Sequence, residues 1–159
     1  MSIELDFENG SGSQIPNNKL FEKWVSAALQ ISDADNSTYA NAELSIRIVD
    51  EIEMTQLNQQ FRDKDKSTNV LSFPADIPPE LDINLLGDIA ICAPVIEREA
   101  SEQGKELEAH YAHISVHGTL HLAGYDHIED SDAEQMETLE IKVLSYLGYS
   151  NPYTYNQNT

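Results

Sequence analysis

The sequence predicts a single α+β domain in which a small mixed sheet is packed by helices. Three observations carry that expectation. The 159 residues are 40% hydrophobic and 8% aromatic, enough to build one core without staples. Segments that alternate apolar and polar residues interleave irregularly with segments of helical periodicity, the pattern of a sandwich with a mixed sheet. No internal repeat or linker divides the chain, so residues 1–150 are read as one domain and 151–159 as a flexible tail.

Along the chain, Ser2 to Glu8 alternates Ile3, Leu5 and Phe7 with polar residues, a strand with one buried face. Asn9 to Ser13 is a turn. Pro16 suits the first turn of a helix to about Leu29, with Leu20, Trp24, Ala27 and Ala28 inward. Ser32 to Asn41 is polar loop. Ala42 to Val49 alternates Leu44, Ile46 and Ile48, a second strand. Asp50 and Glu53 approximate a capping box for a helix through Phe61, with Ile52, Leu57 and Phe61 as core candidates. Asn69 to Phe73 and Leu85 to Cys92 are apolar strands flanking a loop with Pro74 and Pro79. Asp88, in the second strand, faces either water or a site. Pro94 opens a helix to about Gln103, and another runs from about Glu106 to Leu122. Ser131 to Glu134 is a capping box for a last helix, with Met136, Leu139, Val143 and Leu147 inward, and Gly148 stops it.

The charge narrows the function. With 28 acids against 9 bases the net is −19, a surface that repels nucleic acid at long range and has no general affinity for anionic membranes. Three of the bases, Arg62, Lys64 and Lys66, crowd into one loop; on charge alone that loop reads as solvated and balanced by Asp63 and Asp65. The lone Cys92 sits in an apolar run and reads as core. Met1 to Asn9 lacks the basic flank and apolar stretch of an export signal, and no segment has the length of a membrane span. A cytoplasmic enzyme is expected.

All five histidines lie between residues 110 and 127. His117, His121 and His127 form the pattern H-x-x-x-H-x-x-G-x-x-H. The first two share one helix face a turn apart. Gly124 supplies a left-handed residue that ends the helix and can return His127 to the same point. Three imidazoles with a fourth position open is the arrangement of a catalytic zinc site. His113 and His121 are about 12 Å apart along the helix, too far to share an ion. His113 is therefore placed behind the ligands or facing substrate, and His110 in solvent. Zinc peptidases of the H-E-x-x-H type carry a glutamate general base after the first histidine. Gly118 stands there, which disfavours peptidase chemistry. Zinc lowers the pKa of water to about 7 without a strong separate base, which also suits phosphodiester hydrolysis. That reaction calls for a cation on the phosphoryl oxygens, and Arg62 can grip phosphate through two parallel hydrogen bonds.

Three segments carry a family resemblance: Phe61 to Pro74 (FRDKDKSTNVLSFP), Leu86 to Cys92 (LGDIAIC) and His113 to His127 (HISVHGTLHLAGYDH). Together, over roughly residues 40–148, they resemble the YbeY family of bacterial metal-dependent endoribonucleases. The resemblance implies a zincin-like α+β fold with one Zn2+ per chain on His117, His121 and His127, at the end of a central helix. It implies cleavage of single-stranded RNA, 3′-end maturation of small-subunit ribosomal RNA, and ribosome quality control. Arg62 would hold the scissile phosphate, with Lys64, Lys66, Ser72 and His113 near substrate, and Arg62 and His117 as the catalytic pair. Asp126 would support the ligand turn. Asp63 and Ser67 depart from the glycine and proline common in the family, a change in loop stiffness. The expected partners are RNA and the small ribosomal subunit with its basic proteins, not DNA or membrane. Imidazole sites also accept nickel, copper or iron. Two alternatives stay open. One is a metallopeptidase taking its base from elsewhere, such as Asp88. The other is a non-catalytic ribosome-assembly factor, whose structural ion would have a fourth protein ligand such as Asp126 or Asp88.

Overall fold

The computed structural model describes residues 3–32, 39, 41–78, 80–81, 83–125 and 130–153. Its elements run β1 (Ile3–Asn9), α1 (Asn18–Ser32), β2 (Ala42–Val49), α2 (Glu51–Arg62), β3 (Val70–Pro74), β4 (Leu85–Cys92), α3 (Ala93–Gln103), α4 (Leu107–Leu122) and α5 (Asp130–Leu147). The sheet order is β1-β2-β4-β3. β1, β2 and β4 are parallel, and β3 returns antiparallel to β4 as an edge strand. This is the single α+β domain with a mixed sheet that the sequence predicts.

Strand alternation sorts the residues between two faces. Ile46, Ile48, Ile89 and Ile91 point to one face, where they pack with Phe21 and Trp24 of α1, Tyr111, Val116 and Leu120 of α4, and Met136 and Val143 of α5. The opposite face holds a smaller cluster of Val49, Met54, Leu71, Ala90, Cys92 and Val95, with Leu57 and Phe73 packed against it. Cys92 is core, as expected. The rest of that face is open and polar, with Asp6, Ser45 and Asp88 side by side across three strands. Asp88 is exposed and accepts a 2.5 Å hydrogen bond from Ser45 Oγ, so it faces water.

Three sequence expectations need correction. Ile52 and Phe61 are not core: they are 72% and 50% exposed. Asp50 does cap α2 as expected, accepting from the Glu53 N–H at 2.8 Å, but the helix then turns Met54, Asn58 and part of Leu57 inward. A short helix lying on one sheet face buries only a narrow stripe. Ser131 is no cap either, because it is itself helical, within the described span of α5. His110, expected in solvent, is 2% exposed and hydrogen-bonds Glu99 at 2.8 Å through Nε2. No described helix is long and apolar enough to cross a membrane.

Candidate metal centre and the groove beside it

Helix α4 is apolar almost all round, because it lies between the sheet and α1, α3 and α5. It can lie against the sheet at Gly118. A Cβ there would come within 3.1 Å of Ile89 Cγ2 and 3.4 Å of Ser72 Oγ, so the position after His117 has no room for the glutamate of a peptidase motif. Close approach also lets Ser72 Oγ donate to the Gly118 carbonyl at 3.3 Å. The helix ends as its sequence requires. Gly124 takes φ +102°, and the N–H groups of Gly124 and Tyr125 return to the carbonyls of His121 and Leu120, each at 3.0 Å. This reciprocal closure is the Schellman motif.

His117 and His121 emerge together on the side of α4 that meets β3. Their ring centroids are 5.0 Å apart, and both line a groove of about 350 Å3 with Arg62, Thr68, Asn69, Val70, Leu71 and Ser72. The pair chosen from helical spacing thus shares one groove with the cationic residue chosen for phosphate. His127, the third expected ligand, and Asp126, its expected support, lie outside the described residues. Among the described residues, no three histidine, cysteine or carboxylate side chains converge on one point as an ion requires.

Behind the groove is a residue that sequence reasoning missed. Glu140 of α5 is 0% exposed, in the middle of that helix's apolar stripe. Its Oε1 accepts a 2.5 Å hydrogen bond from His117 Nδ1. Its Oε2 accepts from the Tyr153 hydroxyl and lies 3.6 Å from His113 Nε2. Since Tyr153 gives its proton to Glu140, His113 Nε2 donates to the Tyr153 oxygen at 3.3 Å. Burial pushes the Glu140 carboxyl up, but the adjoining His113 and His117 rings outweigh that and hold it at about 2. A carboxylate at Nδ1 favours the His117 proton there and a lone pair on Nε2, the tautomer that could bind an ion. His113 lies beside Glu140 and Tyr153, and lines a separate cavity with Lys105, Ala109 and Tyr149 rather than the Arg62 groove.

The described residues would fit two ligands of a divalent transition ion: two imidazoles one turn apart, one of them bonded at Nδ1 to a buried carboxylate.

Arg62 ends α2. Its Nη2 donates to the Ser72 carbonyl at 2.9 Å and Nη1 to the Phe61 carbonyl at 3.0 Å. The loop beyond is anchored by Asn58, buried on α2, whose Nδ2 donates to the Lys66 carbonyl at 2.8 Å. Asp63 adopts the left-handed conformation, φ 57°, as the helix C-cap; aspartate reaches it at a modest cost. Lys64 and Lys66 are exposed on this loop. Asp88 is on the wrong face to serve the histidines. Its neighbour Ile89 packs toward Gly118, so the Asp88 side chain projects from the side of the sheet away from α4. That removes the base named for a peptidase and one of the two candidates for a fourth ligand.

The family described as Endoribonuclease YbeY matches residues 6–148. A protein named Endoribonuclease YbeY from Pseudomonas putida (strain W619) is 51% identical over 157 residues, 98% of this chain and 96% of that protein. A namesake from Stutzerimonas stutzeri (strain A1501) is 53% identical, covering 95% of this chain and 91% of its own. The solution structure of TM1509 from Thermotoga maritima aligns with a TM-score of 0.57 at 27% identity, over 91% of both chains.

Proposed function

The chain belongs to the YbeY endoribonuclease family, and from that membership we propose that it is a zinc-dependent endoribonuclease of single-stranded RNA. Its place is the cytoplasm, in 3′-end maturation of small-subunit ribosomal RNA and ribosome quality control. The observation that carries the site assignment is the single groove shared by His117, His121, Arg62 and Ser72.

His117 and His121 would hold the ion together with His127. When bound, zinc makes water more acidic and stabilises negative charge on a phosphoryl oxygen. The chain's own residues supply the rest. Glu140 orients His117. Arg62, tied to backbone carbonyls on one side, directs its remaining N–H groups at the phosphate and offsets charge as the bond breaks. Lys64 and Lys66 draw the RNA backbone along the loop. The face of β3 and Gly118 excludes a glutamate base, which favours phosphodiester over peptide hydrolysis.

The test measures metal content and RNA cleavage together, on wild type, His121→Ala and Arg62→Ala. The expected result is loss of metal and activity in His121→Ala, with Arg62→Ala keeping metal but losing activity on the order of a hundredfold or more. If all three proteins cleave equally, the cleavage is contamination and the reading fails.

A further inference from the structure

Resting on the reading that this chain binds single-stranded RNA, we propose that Phe61 and Phe73 form a nucleobase platform, on which an unpaired base adjoining the phosphate at Arg62 stacks. An exposed aromatic by itself is ordinary. Phe61 is not by itself. Its half-exposed ring meets Phe73 edge-on, with centroids 5.1 Å apart and planes at 66°. The Arg62 guanidinium carbon lies 5.3 Å from the centre of the Phe73 ring. The same guanidinium bonds the Ser72 carbonyl on the free edge of β3 and lines the histidine groove. Aromatic pair, cation and histidines are therefore continuous around one sheet edge. Phe73 lies on the α2 side of that edge, and Ser72 with the histidines on the other.

The chemistry selects the occupant. An aromatic face takes any base, since every base has a π-face, and a neighbouring arginine adds a cation–π contribution. Phosphate goes to Arg62 and the flanking base to the ring, one nucleotide spanning the edge. Lys64 and Lys66, exposed on the same loop, provide the positive track that such platforms accompany. Asp88 is the cross-strand neighbour of Phe73, but its carboxylate is bonded to Ser45, and a base, unlike a phosphate, brings no charge against it. The platform also explains single-strand selectivity. A base inside an A-form helix is already stacked and cannot be laid on a second surface without being pulled out.

The test uses the full-length zinc-loaded protein, Phe61→Ala and Phe61→Tyr. Substrates are unstructured RNA oligomers carrying 2-aminopurine at successive positions around the mapped cleavage bond. Expected are a KM raised about tenfold in Phe61→Ala with kcat little changed, rescue by Phe61→Tyr, and 2-aminopurine quenching at one position that Phe61→Ala abolishes. Circular dichroism confirms that the variants fold. A Phe61→Ala protein with wild-type KM and wild-type quenching overturns the platform while leaving the nuclease reading intact. Unchanged RNA parameters together with lost binding to purified small subunits would make the ring a protein contact, and also overturn it. Wild-type protein that neither binds nor cleaves the RNA defeats the nuclease reading and the platform with it.

Discussion

Glu140 shows what a single residue can decide and how little of it the sequence announces. The chain has 28 acidic residues, and this one stands between Met136 and Val143 on a stripe that reads as apolar core. Only the fold shows it fully buried with both oxygens engaged. The histidines were legible because their spacing is itself the geometry: four residues on a helix give adjacent rings. A partner 23 positions away has no such signal. Glu140→Gln keeps the volume but removes the charge and cannot accept from both His117 and Tyr153. Zinc affinity should fall about 10- to 100-fold, measured by competition with a chromophoric chelator. Fold stability should fall as well, because the depressed carboxyl stabilises the folded state at neutral pH and glutamine leaves a buried donor facing donors. Wild-type zinc affinity in this variant would mean that His117 needs no orienting partner.

At the scale of elements, the sequence located β2 and β4 to the residue, because alternating or largely apolar runs bounded by polar residues leave little latitude. It misjudged the buried face of α2, because a short helix of mixed polarity can turn any of several stripes inward, and the packing of Met54 on the small cluster together with the Asn58 bond to the Lys66 carbonyl picks one. Gly118 joins both lessons. Its absence of a side chain was legible; the contact with Ile89 and Ser72 that requires it was not. Alanine there gains about 1 kcal/mol of helix propensity, which offsets part of the 3.1 Å crowding against Ile89. Glutamate adds bulk and a carboxylate without a partner in a buried seam, together costing at least 2–3 kcal/mol. Thermal melts should show Gly118→Ala near wild type and Gly118→Glu lower by roughly 5–10 °C. The restored H-E-x-x-H string should confer no peptidase activity. Casein cleavage by Gly118→Glu, abolished on chelation, would contradict this account of the seam.

Over the whole molecule, the net charge of −19 was legible but its segregation was not. Glu4, Asp6, Glu8, Glu43 and Asp88 collect on exposed strand positions, because neighbouring parallel strands bring outward-facing residues into register. Two arginines are absorbed by neighbouring carboxylates of the sheet face and α2. Arg47 pairs with Glu8 at 2.6 Å and Glu53 at 2.8 Å, and Arg98 with Glu51 at 3.0 Å. Arg62 instead gives its guanidinium to backbone carbonyls, which leaves its charge available for an anion. Together with Lys64 and Lys66, and largely offset by Asp63 and Asp65 between them, it makes an edge that is only slightly positive on an acidic body, opposite to the broad basic surface of an ordinary RNA-binding protein. Such a body holds RNA through few phosphates. Three cations give a log–log salt slope of about −2 for a single strand, so free RNA should bind weakly but lose only about fourfold in affinity for each doubling of salt. Fluorescence anisotropy with a short unstructured RNA, titrated across ionic strength, reads that slope directly. A value near −6 would need cations that this edge does not present, and a value near zero would remove phosphate contact from the loop. A slope near −2, alongside small-subunit binding that weakens more steeply with salt, would place the additional charge contacts between the acidic sheet face and basic ribosomal proteins, with the β3 edge left to the RNA.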